Sequence, residues 1–197
     1  MVRTCSTIRM SASSTSAAEP RESSSNFLMI RALGEKKPKI ADSAFVSEAA
    51  YVVGDVEIGE NSSIWPGAVL RADRFRIRIG SDCNVQDNCV VHPGFADLNI
   101  GNNVTMGHGS VIHCAKIGDN VFIGMHSVLN NQSVIEDFCM IGAYSMVKNH
   151  FIVPTRSLAV GIPAKIVRAL NDKDLERIAS GSKTYVELAR EFRRCGL

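Results

Sequence analysis

The sequence predicts an all-β chain, a left-handed parallel β-helix of hexapeptide repeats, followed by one C-terminal α-helix. Three observations carry that reading. An aliphatic residue recurs every six positions, a small residue usually stands four places after it, and glycine often follows it directly. A period of six matches neither an α-helix nor a long strand. It is the repeat of a hexapeptide solenoid, in which three short strands make one turn of a triangular prism. A β-sandwich would show turn signals about every 8–12 residues, and these are absent from the sequence.

Residues 1–28 stand apart from the repeat. They are rich in serine, carry Arg3 and Arg9, and reach no acidic residue before Glu19. That composition suits a mitochondrial presequence. It suits equally an upstream extension, because "MIRALGEKKPKI" from Met29 reads like a natural start. Under both readings the segment is left out of the fold, with the coil expected over 29–168 and the helix over 169–197.

The aliphatic series runs Ile40, Val46, Val52, Ile58, Ile64 and Leu70. It resumes three residues late at Ile79, Val85 and Val91, and three late again at Ile100, Met106 and Ile112. One deletion then leads to Ile117, Ile123, Leu129, Ile135, Ile141 and Val147. These eighteen units predict six turns, stacked at the strand spacing of roughly 4.8 Å. Ser62, Ala68, Cys83, Cys89, Ser110, Ser127, Ser133, Cys139 and Ser145 take the small inward position. After Val147 the repeat fades, and Pro154 and Pro163, which cannot donate to a ladder, are expected to close the coil. The tail "NDKDLERIASGSKTYVELAREFRR" reads as a helix capped by Asn171 or Asp172. Its apolar residues Leu175, Ile178, Tyr185, Val186 and Leu188 should pack along the prism or against a neighbouring chain. Gly181 allows a break or bend.

Composition removes several classes of function. A net charge of +2 in 197 residues gives no general polyanion-binding surface, so no nucleic-acid partner is expected. No apolar run approaches the roughly 18 residues of a membrane span. The six cysteines form no CxxC pair, which points to reduced thiols in an intracellular compartment. The expected location is cytoplasmic, or mitochondrial if residues 1–28 are a presequence.

Four of the five histidines fall between His92 and His126. The register stacks Leu70, Val91, Ile112 and Leu129 on consecutive turns of one face. The residues after them point outward and form the column Arg71, His92, His113, Asn130. His92 and His113 then stand about one strand spacing apart, close enough to share a metal at ~2.0–2.1 Å from each nitrogen. His108 belongs to the preceding hexapeptide and another face, so one protomer can hardly bring it to the same point. A neighbouring protomer in a threefold assembly can. His126 falls away from the column and reads as a surface or interface histidine. Cys114 lies nearer the histidines, but a small residue at a tight corner explains it better than a ligand.

The motifs "LRAD", "NVQDNCVVH", "MGHGSVIH" and "KIGDNVFIGM", in this order, resemble the gamma-class carbonic anhydrases and their relatives over Ile40 to about Arg168. The resemblance implies a homotrimeric lyase with interfacial metal sites, acting on CO2 and bicarbonate. It implies that Arg71 and Asp73 form an interface ion pair and that Gln86 lies beside the metal-bound water. Independently, Gln86 follows Val85 one turn below Gly107, on the face of His108. Arg71 is assigned to assembly rather than chemistry. Ligand type points to zinc, with iron(II) or cobalt(II) also accepting three nitrogens. Three neutral imidazoles on such a metal bring its water to a pKa of about 7, and the resulting hydroxide attacks CO2.

The sequence departs from the best-known active members at one point. They carry glutamates near the metal, whereas here Arg74 follows Asp73 and the loop "PGFADLN" holds only Asp97 as an acid. Each turnover exports a proton, normally with help from an acid–base group, so the departure bears on rate rather than on metal binding. The competing readings are a slow metal-dependent hydrolase of the thioesterase kind, a structural trimer subunit, and a hexapeptide acyltransferase.

Overall fold

The computed structural model describes residues 29–114 and 116–197; residues 1–28, read above as a presequence or an extension, lie outside them. Among the described residues, twenty strands precede one helix, α1 (Asp172–Cys195). Most strands are two residues long because each face of the prism is only that wide before the chain turns.

The six-residue period becomes three parallel ladders. On the first face Val52, Leu70, Val91, Ile112, Leu129 and Val147 pair in register. The second face stacks Val46, Ile64, Val85, Met106, Ile123, Ile141 and Ala159. The third stacks Ile40, Ile58, Ile79, Ile100, Ile117, Ile135 and Val153. From Val52 upward all of these side chains are buried, and with the small residues at the corners they form one core.

Two expectations change. The coil does not stop at Val147: Val153 and Ala159 continue the ladders, giving about seven turns of left-handed solenoid. Pro154 and Pro163 fall in the turns rather than in the paired stretches, so neither costs a ladder bond. The sheet ends instead in an antiparallel hairpin of Ser157–Gly161 with Ala164–Ala169. Gly181 makes no break either, since α1 runs through it unbroken.

The corners need a left-handed residue in each turn. Asn61, Asp82, Asn103 and Asn120 take it on one edge with φ of 55–56°, and Asn and Asp tolerate that region best after glycine. Nearby carboxylates and amides cap the coil beneath: Asn102 Oδ1 accepts from Ser81 N–H at 2.8 Å, Asp119 Oδ1 from Asn102 N–H at 2.7 Å, and Asp137 Oδ1 from Asp119 N–H at 2.9 Å.

The two three-residue insertions fall at the corner between the first and third faces. The ladder passes from Gly54↔Ala72 to Val56↔Ile77, so Asp73–Arg76 bulge out opposite the single residue Asp55. Gly54 (φ 88°) is required there, because a Cβ would come within 2.0 Å of the Ala72 carbonyl oxygen. One coil higher, residues 93–97 make the second excursion between Val91 and Leu98.

Helix α1 covers the second face. Tyr185, Leu188, Ala189 and Phe192 pack on Phe45 and Trp65, and Leu175 and Ile178 pack on Met140 with Leu170, Phe122 and Leu158. Asn171 is the N-cap, accepting from Asp174 N–H while Asp174 accepts from Asn171 N–H, and Arg168 holds the Asp174 carboxylate with both guanidinium nitrogens. No described helix is long and apolar enough to cross a membrane.

The columns carry the stability, so cutting one in mid-coil is costly. Ile112→Ala, at a fully buried position, should lower the unfolding free energy by about 2–5 kcal/mol. Urea denaturation with an unchanged m-value checks this. A loss below half a kcal/mol would mean that the column is not the core.

Candidate metal centre

The first-face ladder puts Val91 beside Leu70 and Ile112, so the outward neighbours His92 and His113 meet one coil apart. Their rings stack with centroids 5.2 Å apart at 14°, and His113 Nε2 is 3.2 Å from His92 Nδ1. That separation suits a hydrogen bond. It also suits one edge of a coordination tetrahedron, since two nitrogens ~2.0–2.1 Å from a common ion stand about 3.3 Å apart. The donor pair therefore fits a zinc-sized ion.

Asp73 fixes the His92 ring. It hangs from the first insertion with Oδ1 3.3 Å from His92 Nε2, so Nε2–H donates to the carboxylate and Nδ1 keeps its lone pair. The other carboxylate oxygen pairs with Arg71, and Arg74 N–H donates to Oδ1 at 2.8 Å. Burial acts to raise the Asp73 pKa, but the Arg74 N–H, the His92 bond and the Arg71 charge together bring it below the ordinary carboxylate range. His113 is pushed down from the usual imidazole range, first by desolvation and then by His92 and Arg71. The neutral, ligating form is favoured. Gly94 lets the second insertion lie against this ring, as a Cβ there would stand 3.0 Å from His113 Cε1.

His108 sits at the corner after the second face, away from that pair. Its backbone N–H donates to Gln86 Oε1 at 3.1 Å, and its Nδ1 lies 2.8 Å from Asp87 Oδ2. Gln86 is buried, and its Nε2 donates to Asn84 Oδ1 at 2.9 Å. Among the described residues of a single chain, no three metal-binding side chains converge.

The remaining candidates separate cleanly. His126 takes a left-handed corner position and stacks on Tyr144 at 5.1 Å, outside the His92 column. Asp97 Oδ1 accepts from Arg76 N–H at 2.9 Å, tying the two insertions together. Arg71 and Asp73 pair within one chain, so their contact does not need a neighbour. Asp87 was missed at the level of sequence, although it stands one coil below His108 and the same register would have found it.

Fold and side chains together define a hexapeptide-repeat β-helix protein with a His–His–Asp cluster on one outer face and a second His–Asp pair at the next corner. The family described as bacterial transferase hexapeptide (six repeats) matches residues 37–72 and 97–131. The chain is 39% identical to gamma carbonic anhydrase 2, mitochondrial, of Arabidopsis thaliana over 79% of its own length and 59% of that protein's. It is 40% identical to the protein of Methanocaldococcus jannaschii named "Probable carbonic anhydrase", over 76% of this chain and 95% of that one. It is 35% identical to the carnitine operon protein CaiE of Escherichia coli, over 77% and 78%. A solved hexapeptide transferase family protein from Anaplasma phagocytophilum superposes with a TM-score of 0.79 at 36% identity, covering 82% of this chain and 96% of that one. The chain belongs to the gamma carbonic anhydrase-like hexapeptide-repeat family. It spans 59% and 64% of the two Arabidopsis relatives' lengths.

Burial makes the inward cysteines unreactive. The thiols of Cys83 and Cys114 are pushed up to about 12, by desolvation above all, whereas Cys195 is exposed. Iodoacetamide at pH 8 should therefore label Cys195 within minutes and leave Cys83, Cys89, Cys114 and Cys139 unmodified until denaturant is added. Peptide mapping reads the result. Rapid native labelling of Cys114 would contradict its role as a packing residue.

Proposed function

We propose that this chain is a metal-dependent carbonic anhydrase that hydrates CO2 reversibly at the interfaces of a homotrimer. The observation that carries the reading is the 3.2 Å approach of His92 Nδ1 and His113 Nε2 with Asp73 behind one ring. His108, oriented by Asp87, is set apart on another corner. His92 and His113 of one chain and His108 of the next would hold the ion, zinc by donor type. When bound, such an ion with an open position supplies Lewis acidity that brings the ionisation of a water to near neutral pH. The names of the plant and archaeal relatives support the activity, and the mitochondrial names of the plant relatives support reading residues 1–28 as an import presequence.

The chain's own residues supply the rest. Asp73 and Asp87 fix which nitrogen of His92 and of His108 is free. Gln86, held by Asn84 and by the His108 N–H, keeps one N–H and one lone pair unused and can orient water beside His108. Arg71 neutralises Asp73. The assembly has support on the first face, whose outward residues Val69, Val90, Val111, Val128 and Met146 form an apolar, uncovered column. The second face has α1 over it and the third presents Lys39, Glu57, Arg78, Asn99 and Lys116, so the first is the apolar face left to pair.

A second reading, acyl transfer, is favoured by the transferase name of the Anaplasma structure. Metal content separates the two. The wild type and His126→Ala should carry about one zinc per chain, and His92→Ala, His108→Ala and His113→Ala close to none, by elemental analysis of freshly purified protein. Light scattering should give a trimer. Loss of zinc from His126→Ala, or a zinc-loaded monomer, would sink the shared-site model.

Proton export should limit turnover, because Arg74 stands where active relatives carry a glutamate. In stopped-flow CO2 hydration, imidazole buffer should raise kcat several-fold and leave kcat/KM nearly unchanged. Arg74→Glu should raise kcat at low buffer. Rates independent of buffer in both proteins would rule this account out.

A further inference from the structure

We propose that Lys36, on a hairpin strap ahead of the first full coil, is a positioning residue for the metal centre: its ammonium fastens the backbone of Asp73, and through it the carboxylate that orients His92. The inference rests on the reading that His92 and His113 hold a metal.

Asp73 occupies the weakest point of the ladder. Between Ala72 and Ile77 the strand has no registered partner in the coil below, so the insertion is free to shift unless something else holds it. Its far end is held by Arg76, which pairs with Asp55 in the coil below and donates its N–H to Asp97; the side chain that holds the Asp73 end comes from far away in sequence. Lys36 Nζ donates to the Asp73 carbonyl oxygen at 2.6 Å and lies 3.3 Å from that of Arg74. One cation thus binds the two successive carbonyls that carry the site's acid. This is a fastening of backbone, not a charge pairing, since neither contact is to a carboxylate.

The strap is itself ordered. Ile30 and Arg31 pair with Val52 and Val53, and Leu33 and Lys36 exchange both backbone hydrogen bonds, at 2.9 and 3.2 Å. Gly34 supplies the positive φ (59°) that closes this turn. Lys39 then rejoins the ladder opposite Glu57. Lys36 is therefore presented from a hairpin anchored on both sides. The neighbouring cations do other things: Lys39 pairs with Glu57 at 3.4 Å, and Lys37 is exposed.

From Lys36 the contacts run without a gap. Its ammonium holds the Asp73 peptide, the Asp73 carboxylate reaches His92 Nε2 at 3.3 Å, and His92 Nδ1 meets His113 Nε2 at 3.2 Å. Removing an outer partner of a ligating histidine typically weakens metal binding by about 10–100-fold, and Lys36 stands one step behind such a partner.

The test uses the full chain with Lys36→Met, which keeps much of the stem and removes the charge, Lys36→Arg, and Lys37→Met. Zinc affinity is measured by chelator competition, and imidazole 15N–1H correlations of His92 and His126 are recorded on metal-free protein. We expect Lys36→Met to weaken zinc by about tenfold and to move the His92 signals but not those of His126. Lys36→Arg should restore most of the affinity, and Lys37→Met should match the wild type. Unchanged zinc affinity or unmoved His92 signals in Lys36→Met would overturn the proposal, as would an equal effect of Lys37→Met. A Lys36→Met chain that fails to fold makes the strap a general fold element and overturns it too. If the wild type takes up no zinc, the metal reading falls, and the metal-free imidazole spectra alone decide the role of Lys36.

Discussion

The parallel ladder between successive coils governs everything else in this molecule. Strands stacked at a fixed spacing force each residue to lie over its counterpart one turn below. The sequence must therefore repeat in kind wherever the ladder is to continue. Leu70, Val91, Ile112 and Leu129 are interchangeable in chemistry because they fill one continuous column. The corners obey the same rule with different chemistry: Asn61, Asp82, Asn103 and Asn120 recur because each turn needs a left-handed residue at that edge. A single substitution in a column is felt by the coils on both sides, since a packed interior leaves no room to absorb a lost side chain.

The candidate site arises where that constraint is locally suspended. The ladder holds His92 and His113 in stacked register, but it offers no carboxylate to orient them. The first insertion supplies one by letting Asp73 leave the ladder and turn back towards His92. The second brings Gly94 against His113, and Asp97 binds the two excursions together through Arg76 N–H. Rigid coils thus fix where the rings stand, and irregular loops fix which way they face. Freedom to place Asp73 has a cost, because a segment outside the ladder has to be tied down by other means, here by the ion pair with Arg71 and the strap carrying Lys36.

Much of this was legible in the sequence, and the rest was not, for physical reasons. The six-residue period fixed the three faces, the inward cysteines and the His92–His113 column, because each is a matter of counting along a ladder. Counting failed at the end of the coil. Val153 and Ala159 extend the ladders, but Val153 is followed by Pro154 where glycine is usual, and Ala159 is no large aliphatic and has Pro163 where the small residue should stand, so the signal fades before the structure does. It failed again for Lys36, which meets Asp73 across 37 residues through an irregular turn that no period describes. The Arg71–Asp73 pair forms within one chain because residues two apart in a strand point to the same side, a proximity that the alternation itself contains.

The two corners share one device. Asp73 orients His92 from the coil below, and Asp87 does the same for His108. Asp87 stands directly beneath His108 in the stack, whereas Arg71 stands beneath His92 and the insertion brings Asp73 to that ring instead. The bonded nitrogens differ. His92 gives Nε2 to its acid and leaves Nδ1, while His108 gives Nδ1 and leaves Nε2. The free nitrogens therefore project to different depths from the prism, one short and one long. A short reach suits the face where two rings already stand side by side. A long reach suits a corner whose imidazole must cross to another surface. Each half of the proposed centre is thus oriented within its own chain, so that assembly would bring together preformed parts rather than order them on contact.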